Sequence, residues 1–177
     1  METLSEKDVK DRLASYTDPS VTDELYHFGE MLVRDSIERV SKADTKAAAI
    51  AAYAGGLVTL LVSTSGIWAK NNSGVHLLMP IIAIVALILS AFFAVSSMTL
   101  KRTEWFSVNE WMKQDCLETG ERLRRYHILT MWGASESLEG LYEAKLSELR
   151  KAQWVTLLAW ILLAVAFFDI AALRSAF

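Results

Sequence analysis

Side chains able to do chemistry are few in this sequence of 177 residues. His27, His76 and His127 lie far apart, with no H-E-x-x-H spacing and no cysteine pair, so no metal site is expected. Cys116 is a lone thiol with no motif around it, and a structural role is expected for it. No G-x-S-x-G elbow occurs, and Gly55-Gly56 sits inside an apolar run rather than in a phosphate-cradling turn. No catalytic residue is expected, and hence no enzyme. What stands out is charge in costly places. Asp44 and Lys46 stand just ahead of one long apolar run, and Lys145 a few residues ahead of another. Two residues apart on a helix means about 200° around it, so Asp44 and Lys46 cannot pair. A carboxylate at a membrane edge needs a partner. Lys145 is the one expected for Asp44, with Arg150 or Lys151 in reserve. Such a clasp either holds a closed state, as a switch, or only fixes helix register. Lys46 is expected to snorkel toward lipid headgroups.

The runs that position these charges dominate the composition. Hydrophobic residues make up 53% of the chain and charged residues 22%, which excludes intrinsic disorder. A single cysteine excludes a disulfide scaffold. The net charge of −3 disfavours binding to nucleic acid polymers. Residues 47–69 and 77–100 carry no charge, and 152–173 carry one, Asp169. At about 1.5 Å per residue each is long enough to cross a hydrocarbon core of about 30 Å. The sequence therefore predicts an all-α membrane protein with three transmembrane helices and helical cytosolic extensions, in contact with a lipid bilayer. The first 46 residues are too polar for a secretory leader.

Orientation follows from Lys and Arg. Residues 1–46 hold seven, 70–76 one, 101–151 nine, and the tail after Leu173 one. The positive-inside rule places the N-terminus in the cytoplasm and the C-terminus outside. Trp68 and Trp154 lie near opposite ends of the first and third runs, as interfacial anchors.

The cytosolic segments read as helices. Ser20 or Thr22 is the expected cap of one, with Asp23 and Glu24 in its first turn. Tyr26, Val33, Ile37 and Val40 are expected on one face. No Pro or Gly lies between Glu30 and Tyr53, so this helix is expected to run on into the first span. Leu138, Leu141, Tyr142, Lys145 and Leu149 form a stripe that feeds the third. One or two helices are expected between Thr103 and Met131, interrupted near Gly120. Leu4, Val9 and Leu13 suggest a short helix ended by Asp18-Pro19. In the first span Ala47, Ala51, Gly55, Thr59 and Ser63 are small and recur every four residues. This stripe suits close helix packing, against the other spans of the chain or against a second copy.

The run A-D-T-K-A, Ala43 to Ala47, directly ahead of the first span and after an amphipathic helix, resembles the signature of the Pycsar effector transmembrane domain family. The order of elements fits as well: paired spans, a helical cytosolic stretch, then Lys145 before a last span. The likeness assigns residues 30–177 to a Pycsar-effector-like domain, with a cytosolic insert over 101–151, and leaves 1–29 as a separate N-terminal cytosolic segment. It implies an anti-phage effector in the bacterial inner membrane. Such a protein would answer a cyclic pyrimidine nucleotide, cCMP or cUMP, made by a partner cyclase. Rearrangement or homo-oligomerisation would then impair the membrane and abort infection. That nucleotide would be an activating ligand, with no cofactor besides. A ligand with one phosphate and a pyrimidine wants guanidinium groups and an aromatic platform. Arg122, Arg124, Arg125, Tyr126 and His127 supply both, with Trp105, Trp111 and Trp132 in the same region. Two other readings remain open: a membrane scaffold or accessory subunit that binds a protein through its cytosolic helices, and a related effector that senses another nucleotide.

Overall fold

A computed structural model describes residues 6–16, 18–65, 75–100 and 120–175. It is all-helical: α1 (Glu6–Ser15), α2 (Pro19–Ser63), α3 (Val75–Thr99) and α4 (Gly120–Ser175). The three long helices are each long and apolar enough to cross a membrane. The chain divides into two compact units: Met1–Ser41 with Arg102–Glu143, and Lys42–Lys101 with Ala144–Phe177. Trp68, His76, Trp105, Trp111 and Cys116 carry expectations that lie outside the described side chains.

The start of α2 differs from expectation. The cap is Asp18, not Ser20 or Thr22. Its Oδ1 accepts the Ser20 backbone N–H at 2.9 Å and the Ser20 hydroxyl at 2.8 Å. Pro19 takes the first helical position, where its missing N–H costs nothing. Asp23 and Glu24 therefore lie beyond the first turn. These two hydrogen bonds to the ionised form hold the Asp18 carboxyl below the ordinary carboxylate range. A depressed folded pKa contributes stability that is complete above the unfolded value and is lost as pH falls through the folded one. The Ser20 amide resonance should thus titrate with a midpoint below that of a free aspartate. Asp18→Asn, still a good cap, should abolish the titration and leave the helix start intact.

Helix α4 is longer than expected. It begins at Gly120, where an interruption was expected, and runs 56 residues without a break through the stripe of Leu138 to Leu149 and the third candidate span. Gly133 and Gly140 lie inside it with nothing near the position a side chain would take, and they are tolerated as ordinary helix residues. In α2, likewise, 45 residues run without a break from Pro19 to Ser63, well into the first apolar run, whose end at 66–69 lies outside the described residues.

Burial recurs every seven residues in all three long helices. In α2 the buried positions include Val40, Ala47, Ala54 and Leu61; in α3, Ala83, Ser90 and Ser97; in α4, Met131, Leu138, Lys145, Ala152, Ala159 and Ala166. A seven-residue repeat keeps one seam facing its partners only if the helices supercoil left-handedly. The expected four-residue stripe behaves differently. Ala47 is buried and Ala51 half-buried, but Gly55, Thr59 and Ser63 are exposed. Each four-residue step rotates about 40° past a full turn, so by Ser63 the stripe has swung about 160° from Ala47. The Thr59 and Ser63 hydroxyls turn back to their own helix, on the carbonyls of Gly55 and Leu60 at 2.9 Å. The same arithmetic explains Ile37, which was expected beside Val33 and Val40 and is exposed.

The apolar core of the second unit joins Ala54 and Leu61 with Ala83, Ala86, Leu87, Ala159 and Leu163. So many alanines let the three helices approach closely, which is how packing is gained where lipid removes the hydrophobic drive. The first unit has a smaller core of Leu13, Ile128 and Met131. In α2, Gly29 has no side chain to obstruct Met131, whose Cε would lie 3.0 Å from a Cβ placed there.

Candidate functional site

Within the second unit, one layer of the seven-residue seam is charged. Lys145, on α4, takes a position that Ala152 and Ala159 occupy in the next layers, and only 2% of its side chain is exposed. Its Nζ donates to Asp44 Oδ1 of α2 at 2.6 Å and to the Ser97 carbonyl of α3 at 2.8 Å. The structure thus brings Asp44 and Lys145 together and adds a partner the sequence did not suggest. Ser97 lies two residues from the end of α3 at Thr99, where helix carbonyls lack intrahelical donors and the helix dipole favours a cation. One ammonium therefore ties all three candidate spans. The Ser97 hydroxyl is buried in the same layer and has no partner. The reserve residues do other things. Lys151 bonds Glu148 at 2.6 Å and lies 5.9 Å from the Phe93 ring centre, and Arg150 is exposed. Lys46 is exposed, on a different side of α2 from buried Ala43 and Ala47.

The next layer is polar but uncharged. Ser90 Oγ sits 3.0 Å from the Ala152 carbonyl and 2.6 Å from Thr156 Oγ1. Residues 97 and 90 of α3 thus face 145 and 152 of α4, seven apart on both, so these helices run antiparallel. Tyr53 stacks on Trp160, ring centres 6.3 Å apart, beside the Asp44 and Lys145 pairing lower down; α2 and α4 run parallel. This is the order that three successive crossings require.

In the first unit the expected nucleotide-binding residues are divided. Arg124 reaches across to Asp23 of α2. Arg125 turns to Glu121 on its own helix, and its Nη2 donates to the Tyr16 carbonyl just past α1 at 2.7 Å. Each guanidinium already holds a carboxylate, and the two serve different helices. The side chain of Arg122 lies outside the described residues. Tyr126 is half-buried, and its carbonyl accepts the Thr130 hydroxyl at 2.8 Å. His127 packs on Tyr26, ring centres 5.2 Å apart and the planes tilted by 33°. Burial lowers the His127 pKa, against the opposing pull of the Glu30 carboxylate. Burial raises that of Tyr26, helped by its hydrogen bond to Glu30. Among the described residues no cluster of His, Cys, Asp or Glu is arranged to hold a metal ion. Asp23 as the partner of Arg124 was missed because nothing in the spacing of the two, 101 positions apart, signals it.

Fold and site together define a multi-pass helical membrane protein whose three candidate spans meet at one buried ammonium. No protein family, curated protein or solved structure matches the chain.

Proposed function

We propose that this protein is a non-enzymatic membrane effector held at rest by the layer of Asp44, Lys145 and Ser97. The observation that carries the reading is that layer. A buried ammonium shared by three helices contributes little net stability compared with an apolar residue, but breaking it is costly. Such a site suits a two-state element better than a permanent brace. Activation separates the pair and lets the spans repack. Several copies assemble as a homo-oligomer, since three helices enclose no wide aqueous path. The resemblance implies the bacterial inner membrane, and the Lys and Arg distribution supports a cytoplasmic N-terminus with the C-terminus outside.

The activating signal we propose is cCMP or cUMP from a partner cyclase, on the strength of the A-D-T-K-A run and the order of elements. The downstream result is abortive infection. A ligand shifts this equilibrium only if it binds the active arrangement better. At Arg124 and Arg125 a phosphate would first have to displace Asp23 and Glu121. The test is dye release from liposomes holding the full chain, with cCMP, cUMP, cAMP and cGMP added separately. Release with a pyrimidine compound alone is the expected result. Release with none of the four, from correctly inserted protein, would sink the nucleotide reading.

One observation favours a second reading. Phe28, Met31 and Leu32 form an exposed apolar face on the cytosolic part of α2. That face suits a scaffold that holds a protein partner. In that case Met31→Asp abolishes retention of the partner, and no nucleotide causes leakage.

A further inference from the structure

We propose that α1 is a releasable strap that braces α2 against α4 in the first unit. The helix has 10 residues, too few to be stable alone in water. Among its described side chains Leu13 is buried, Val9 is half-buried and the others are exposed. Leu13 completes a core otherwise made of Ile128 and Met131 of α4, against which Leu25, Tyr26 and Val33 of α2 and Leu129 pack. Among the described residues Leu13 is one of three buried in that cluster, which touches both long helices. The far end of α1 is latched by Arg125, which donates to the Tyr16 carbonyl. That latch is incomplete, because Arg125 Nε is buried without a partner, and a desolvated donor left unpaired offsets much of what the bond contributes.

A short helix with one buried side chain among those described, and a latch whose donor is left half unpaired, is drawn from the low-stability end of its fold. It is docked most of the time and released often. While docked it adds to the direct links between α2 and α4, namely Gly29 against Met131, Tyr26 against His127 and the exposed pair of Arg124 and Asp23. Once released, Ile128 and Met131 keep only the cover that α2 gives them, and the two helices lose one brace. The same helices continue into the first and third candidate spans. The strap thus sets the threshold for activation, a step that rests on the effector reading above; the bracing itself does not.

Two measurements on the full chain in lipid test it. The first is amide hydrogen exchange. The α1 amides should exchange at least about 100-fold faster than those of residues 30–40 in α2, since local opening free energies span that range and more. Equal protection would overturn the proposal. The second is the distance between spin labels at Arg34→Cys and Glu139→Cys, two exposed positions, in a Cys116→Ser background. Leu13→Asp should lengthen and broaden that distance. With the labels carried instead on thiol-free artificial residues at 34 and 139, a disulfide between Leu13→Cys and Ile128→Cys, closed by added oxidant, locks α1 down without a buried charge and should narrow the distance. A distance that neither variant moves, in protein whose α1 exchanges freely, overturns the strap whatever the liposomes do. A distance that widens with no dye release leaves the strap standing and counts against the effector reading instead.

Discussion

Asp44→Ala should destabilise the three-helix bundle by about 3–5 kcal/mol, the cost of leaving a buried charge without its partner. The two ends of this pair are not equivalent. Lys145 exposes 2% of its side chain and Asp44 36%. Removing the carboxylate strands an ammonium that keeps only the Ser97 carbonyl. Removing the ammonium, as Lys145→Met, leaves a carboxylate that still reaches water and a helix-end carbonyl that has lost a donor. That loss should be smaller, about 1–3 kcal/mol. The double variant should recover much of the deficit, because an apolar layer of similar volume replaces the pair. A double-mutant cycle from thermal unfolding in lipid or detergent checks this, and strictly additive losses would contradict it. The same proteins in dye-loaded liposomes separate the two roles of the clasp. If it holds a closed state, Asp44→Ala leaks without any nucleotide. If it only fixes register, Asp44→Ala is unstable but tight.

The features legible in the sequence were those with a single physical cause. Uncharged runs longer than a bilayer is thick leave few alternatives to spanning helices, and the structure has three such helices. The pairing of Asp44 with Lys145 could be expected because an isolated charge at a membrane edge is expensive and few cations were placed to meet it. What was not legible depends on the third dimension. The ammonium's second acceptor is a backbone carbonyl, and any residue could have supplied it. Ser90 and Ser97, seven apart, and Lys145 and Ala152, seven apart, did carry the register of α3 on α4, but only once the period was known to be seven. The row of small residues every four in α2 obscured it. The cluster of Arg122 to His127 looked like one site because it is contiguous in sequence. Adjacent helical residues point about 100° apart, so Arg124 and Arg125 were bound to face different neighbours.

The two periods make opposite predictions one residue apart. Ala54 is fully buried against the core of Ala83, Leu87 and Ala159, and Gly55 beside it has nothing within 4 Å of where a side chain would begin. Ala54→Leu forces three methylene-sized groups into a seam with no room for them and should cost about 1–3 kcal/mol or more. Ala159→Leu, in the same core on α4, should cost as much, and the pair should be worse than either alone. Gly55→Leu should leave the isolated chain as stable as before, or more stable by up to about 1 kcal/mol, because leucine is the better helix former. Were the four-residue stripe the packing seam inside the chain, these signs would reverse, and unfolding of the three variants would show it directly. The exposed part of that stripe then has a separate use as a test of assembly. Gly55 and Gly56, which have no side chain, and Thr59 and Ser63, whose side chains are small, are exposed. If copies of the chain associate through them, Gly55→Leu should weaken cross-linking between copies in lipid while sparing the fold. Unchanged cross-linking would send the oligomer contact to another face. Only a variant that separates chain stability from assembly can decide this, and Gly55 is the position where nothing within the chain interferes.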